Sequence, residues 1–151
     1  MKKFQFKFEA LEKIRQAEER KALQALGEAQ KLRQEEERKK QKILESIFSG
    51  LSRREELGKE LTSPLHFQIE EEFIIGNKYR LLHADQAIFR AQRKVNKAME
   101  HYLEKRQKLK MMERLRSREK KKYDQRVLDL ENKELDELYL MRDRLRRKRD
   151  S

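Results

Sequence analysis

The chain has no cysteine and no tryptophan, and only one proline and four glycines in 151 residues. Without cysteine there is no disulfide framework, no thiol nucleophile and no zinc site with thiolate ligands. One proline and four glycines are too few for a turn-rich β-sandwich or a collagen-like chain. Long apolar runs are missing too. Stretches such as Phe73-Ile74-Ile75 are far below the length of a signal-peptide core or a membrane span. The basic start Met1-Lys2-Lys3 leads into Phe alternating with polar residues, then into charged sequence. These absences predict a soluble, cytoplasmic, elongated helical protein with no membrane span.

What is abundant agrees with helix. Ala, Glu, Leu, Lys and Arg supply 91 of the 151 residues, about 60%, above the roughly 50% of coiled coils and long helices. Leu, Ile, Val and Phe number 36, about 24%, close to the roughly 20% floor below which chains stay disordered. A compact globule of this length needs more apolar surface than this.

The lone Pro64 divides the chain. Leu61-Thr62-Ser63-Pro64 reads as a helix boundary, because a residue before proline is pushed out of the helical region and proline suits the first helical position. Ser63 is placed to cap the second helix. Gly50 and Gly58 are expected to weaken the end of the first.

The second half carries the clearest pattern. Steps of seven from Phe67 reach Ile74, Leu81, Ile88, Val95, Tyr102, Leu109, Arg116, Tyr123 and Leu130, so Arg116 is the one break in ten positions. Ala84, Ala91 and Ala98 form a second row, which Met112 continues. A fixed step of seven over many turns is a coiled-coil seam with left-handed supercoiling. After residue 126 the seam shifts onto Val127, Leu130, Leu138, Met141 and Leu145. The first half has a weaker stripe of Leu11, Ile14, Ala22, Ala25, Ala29, Leu32 and Ile43, widened by Leu23, Leu26, Leu44, Ile47 and Leu51.

Neither seam can be buried alone. The simplest solution is an all-α fold, a long antiparallel two-helix coiled-coil hairpin. It would form a single domain over residues 1–151, with helix 1 at about 8–58, a bend at about 59–66 and helix 2 at about 64–147. The helices would be about 75 Å and about 125 Å long. Either the second overhangs by about 50 Å or it breaks, with Gly76 the natural place. An overhanging seam points to a missing partner.

Catalytic constellations are hard to find. His66, His83 and His101 lack the spacing of a two-histidine metal motif, and there is no glycine-rich phosphate loop and no Ser–His–acid set. The carboxylates fall where Lys and Arg lie three or four residues away, and a two-helix hairpin offers no enclosed pocket. The chain therefore reads as no enzyme, with no cofactor, no metal and no small-molecule substrate.

The charge is polarised within a net of +12. Residues 105–122 hold ten basic residues against Glu113 and Glu119, and 142–149 hold six against Asp143. Residues 53–72 carry three basic and six acidic ones. Such basic stretches suit an acidic protein cavity, an anionic surface or nucleic acid, or are simply solvated. Nucleic acid is disfavoured, because Tyr102 and Tyr123 sit in the seam and not beside the basic face. Phe4-Gln5-Phe6-Lys7-Phe8 is read either as a packing lid or as an apolar tip for a partner. Arg116 is either a register device or a snorkelling side chain.

Three stretches together resemble the FliJ family. The opening Phe4-Gln-Phe6-Lys-Phe8-Glu9-Ala-Leu11-Glu-Lys-Ile14-Arg15 is similar to that family's aromatic start running into a Leu-x-x-x-Arg helix. Val95 through Tyr102-Leu103-Glu104-Lys105-Arg106 to Leu115 resembles the middle of its second helix. Glu131-Asn-Lys-Glu134-Leu135-Asp136-Glu137-Leu138 resembles its acidic box. The resemblance covers nearly the whole chain.

It implies a chaperone-escorting, membrane-associated coiled coil of the bacterial flagellar type III protein export apparatus, serving flagellum biogenesis and motility. It also implies a fold similar to the γ stalk of rotary ATP synthases. The partners implied are the export ATPase ring (FliI, with FliH), the export gate protein FlhA and export chaperones. The place implied is the cytoplasm, peripheral to the inner membrane at the flagellar base. The matching positions Phe4, Phe6, Leu11, Arg15, Asp136 and Glu137 are the partner-binding residues it implies. The alternatives are the corresponding injectisome stalk, a basic nucleic-acid- or anionic-surface-binding protein, and a helix that dimerises between chains.

Overall fold

The computed structural model describes residues 2–59 and 64–150. It is all-α, with α1 at Glu9–Lys59 and α2 at Pro64–Asp150 and no strand among the described residues. Local chemistry accounts for the described helix ends. Glu9 and Glu12 in the first turn of α1 complement its positive end. Arg147, Lys148 and Arg149 complement the negative end of α2. Pro64, with its fixed φ, is the first residue of α2. The bend expected at about 59–66 is narrower than that, since Lys59 and residues 64–66 are helical; its remainder and the Ser63 cap lie outside the described residues.

α2 runs unbroken through Gly76, and α1 runs through Gly50 and Gly58. A helical glycine costs about 1 kcal/mol relative to alanine, which long flanking helices absorb. No described residue has a positive φ.

The chain divides into two compact units, Glu19–Glu104 and Met1–Glu18 with Lys105–Ser151. In the unit Glu19–Glu104 the helices lie antiparallel. Arg33 donates to Gln92 at 3.0 Å, Lys40 meets Asp85 at 2.8 Å, and Arg53 meets Glu70 at 3.0 Å. One number falls as the other rises, and the members of each pair add to 125, 125 and 123.

On α2 of this unit, Ile74 and Val95 are buried, and Phe67, Leu81, Ile88 and Tyr102 are half-buried. The second row, Glu70, Asn77, Ala84, Ala91 and Ala98, is covered as well. Buried Asn77 satisfies its amide by donating to the Phe73 carbonyl at 3.1 Å. On α1 the covered rows are Ala22, Ala29, Glu36, Ile43, Gly50, Leu57 and Glu19, Leu26, Arg33, Lys40, Ile47, Arg54. This differs from the apolar stripe read from the sequence, since Leu23, Ala25, Leu44 and Leu51 are exposed. Long Arg and Lys stems cover the seam while their charged heads reach the facing helix.

The other unit is antiparallel too. Glu18 meets Lys105 at 3.6 Å and Glu12 meets Arg116 at 3.0 Å. Leu109 is buried, and Met112 and Tyr123 are half-buried. Ile14, expected in the stripe, is 53% exposed, while its neighbour Glu12 is 4% exposed. From Leu128 to Asp150 every residue of α2 except half-buried Asp143 is exposed, Leu130 included at 45%. This stretch is the overhang, and no described part of the chain lies over it.

Candidate interaction surfaces

In the unit that joins the N-terminal residues to Lys105–Ser151, residues 2–8 fold over α2. The amide of Glu9 donates to the Phe6 carbonyl at 3.2 Å and that of Glu12 to the Phe8 carbonyl at 2.9 Å. These bonds turn the segment into α1. Phe6 is then buried, and Phe4 tilts against Tyr123 with ring centroids 5.5 Å apart. The Tyr123 hydroxyl donates to the Lys2 carbonyl. The Lys120 ammonium lies 5.3 Å from the Phe4 ring centre and 5.1 Å from that of Tyr123, a range in which cation–π attraction operates. Phe8, edge-on to Phe6 at 5.9 Å, stays 39% exposed. Of the two readings of the aromatic start, the lid describes Phe4 and Phe6.

Arg116 interrupts the α2 row because Glu12 faces it. The Arg116 guanidinium donates to Glu12 Oε1 at 3.0 Å, and the buried Oε2 has no hydrogen bond among the described residues. Beside this pair runs an open groove lined by Phe4, Glu12, Glu113, Arg116, Ser117 and Lys120. Further along, Arg15 donates to Glu18 at 3.1 Å while Lys105 approaches the same carboxylate oxygen at 3.6 Å. The Arg15 hydrogen bond holds the Glu18 carboxyl below its ordinary pKa. Partial burial opposes this, and the charge of Lys105 adds to the lowering.

Four of the six matched residues, Phe4, Phe6, Leu11 and Arg15, lie in residues 2–18. Phe6 is buried, Phe4 and Arg15 are half-buried, and Leu11 is 37% exposed. Asp136 and Glu137 are exposed on the overhang, more than ten residues beyond Tyr123. The structure does not bring these two to the other four. Sequence reasoning missed Glu12 and Lys120. Steps of seven taken from Glu12 instead of from Leu11 would have found the row Glu12, Glu19, Leu26, Arg33, Lys40, Ile47 and Arg54.

The basic stretch at 105–122 is partly used internally. Lys105, Arg116, Lys120 and Lys122 each meet a carboxylate. Lys110, Arg114, Arg118 and Lys121 are exposed and make no ion pair among the described residues. Their spacing of 4, 4 and 3 places them along one side of α2.

In the unit Glu19–Glu104 the outward side of α2 carries Ile75, Tyr79, Leu82 and Phe89, which are 48, 64, 60 and 64% exposed. Large apolar side chains in line on a helix face mark a contact surface. No cluster of three or more His, Asp or Glu able to hold a metal occurs among the described residues, and none of their helices is long and apolar enough to cross a membrane.

A family model described as Flagellar FliJ protein matches residues 4–148. No curated protein and no solved structure matches the chain.

Proposed function

The chain belongs to the flagellar FliJ family, a component of the flagellar type III export apparatus, and from that premise we propose that it works by contact and not by chemistry. Its partners are the export ATPase ring (FliI, with FliH), the export gate protein FlhA and export chaperones. It acts in the cytoplasm, at the inner face of the membrane that carries the flagellar base.

The observation that carries this reading is the uncovered surface. One exposed apolar row lies on α2 at Ile75–Phe89, and Leu138, Tyr139, Met141 and Leu145 on the overhang are 62, 75, 61 and 67% exposed. A chain with a thin seam and so much apolar side chain in water is built to be covered by other proteins. Within the matched positions, exposed Leu11, Asp136 and Glu137 are the contact residues. Phe4 and Phe6 act indirectly, by holding the N-terminal residues on α2, and Arg15 by orienting Glu18, which faces Lys105.

Adding the chain to its cognate export ATPase tests this. Ring assembly, read by sedimentation, and ATP hydrolysis both rise if the reading is right. Unchanged assembly and unchanged hydrolysis overturn it.

A further inference from the structure

The overhang has a charge pattern unlike the rest of the chain. Residues 129–150 hold seven basic and seven acidic residues, a net of zero in a chain of +12. The two signs are segregated. Asp129, Glu131, Glu134, Asp136 and Glu137 come first with only Lys133 among them; Arg142, Arg144, Arg146, Arg147, Lys148 and Arg149 follow with only Asp143. Between them lies the exposed apolar block Leu138–Met141, with Leu145 one turn on.

An acidic half followed by a basic half is complementary to itself when reversed. We propose that the overhang pairs with the overhang of a second copy of this chain, as a short antiparallel two-helix coiled coil.

The register follows from the residues. Leu138 and Met141, then Leu145 and Lys148, continue the 3-and-4 spacing, with Glu131 and Glu134 one heptad earlier. In an antiparallel pair whose facing residue numbers add to 279, Leu138 meets Met141 of the second copy. Glu131 meets Lys148 of the second copy, and Glu134 lies under Leu145 of the second copy, its carboxylate free to reach the rim. Glu137 flanks Arg144 of the second copy.

A parallel pair in register instead stacks Glu131 on Glu131, Glu134 on Glu134 and Lys148 on Lys148, and like charges facing each other are unfavourable. The antiparallel register spans residues 129–150, and its like-sign pairs, Asp129 with Asp150, Lys133 with Arg146 and Asp136 with Asp143, fall at outward heptad positions, whereas Glu131 with Lys148 falls in the seam. This span lies in the part of α2 beyond half-buried Val127, over which no other described segment of the same chain lies. So short an interface gives weak, concentration-dependent association. Pairing would cover Leu138, Met141 and Leu145, which the export reading gives to other proteins, so a second copy and an export partner compete for this stretch.

Sedimentation equilibrium of the full chain tests it. The expected mass rises from 18.6 kDa toward twice that value as concentration increases. Glu131→Lys weakens association about tenfold, the scale set by placing like charges face to face. Glu131→Lys combined with Lys148→Glu restores it, and Leu138→Asp abolishes it. All three positions are exposed, so circular dichroism of every variant should match the parent and exclude unfolding as the cause. A mass fixed at 18.6 kDa at all concentrations overturns the proposal, as does a double charge swap that stays as weak as Glu131→Lys alone. Unchanged ATP hydrolysis in the export assay leaves these outcomes untouched, so the two readings fail separately.

Discussion

Gly50 is where the two helices of the unit Glu19–Glu104 come closest in a way a single methyl can probe. A Cβ built there would lie 3.0 Å from Ile74 Cγ1 and 3.2 Å from Phe73 Cδ1. At Gly27 and Gly76 it would meet nothing within 4 Å. All three glycines are helical without a positive φ, so alanine is compatible with the backbone at each. Glycine to alanine inside a helix gains about 0.8–1 kcal/mol. Gly27→Ala and Gly76→Ala should therefore each stabilise by about that amount.

At Gly50 the same gain meets an overpacking cost of about 1–3 kcal/mol. The ring of Phe73 is 41% exposed and can swing away, but Ile74 is 2% exposed and cannot. Gly50→Ala should fall between neutral and about 2 kcal/mol destabilising. The gap between Gly50→Ala and Gly76→Ala is then about 1–3 kcal/mol, readable as a difference in urea midpoint followed by helical ellipticity. If Gly50→Ala stabilises as much as Gly76→Ala, α1 and α2 do not pack there and the seam described for this unit is wrong.

Two further predictions concern the ion pairs of the other unit. Arg116→Leu leaves the Glu12 carboxylate buried without its partner. The cost should be about 2 kcal/mol, below the 3–5 kcal/mol of a fully buried pair because the Arg116 side chain is 48% exposed. The double variant Glu12→Leu/Arg116→Leu should recover most of it, and urea unfolding of the set reads both. The lowered pKa of Glu18 makes its contribution to stability full above the ordinary carboxylate value, with loss as pH falls through the lowered value. NMR titration should place its midpoint below that of a free glutamate, and Arg15→Gln should move it upward.

The heptad row of α2 was legible because its members are apolar and evenly spaced, and because one long helix holds the step of seven without a break. The rows of α1 were not. Arg33, Lys40 and Arg54 occupy covered positions through their stems, and a hydropathy reading passes over them in favour of Leu23 and Leu44, which face water. The meaning of Arg116 could not be settled within α2. Its partner, Glu12, lies 104 residues away on the other helix, and only the antiparallel register brings them together. Leu130 continues the row in sequence but is exposed, because burial requires a facing residue and α1 offers none there. The matched residues divided for the same reason. Phe4 and Phe6 have Tyr123 and the α2 surface to pack on, whereas Asp136 and Glu137 stand on helix with nothing opposite.

The most direct test of the account is secretion by flagellated cells that lack this chain. Release of flagellar subunits into the medium should drop sharply, and resupplying the parent chain should restore it. The hydrolysis and ring assembly of the export ATPase should move in the same direction. Undiminished secretion and full motility without the chain would contradict the claim that it is a working part of export.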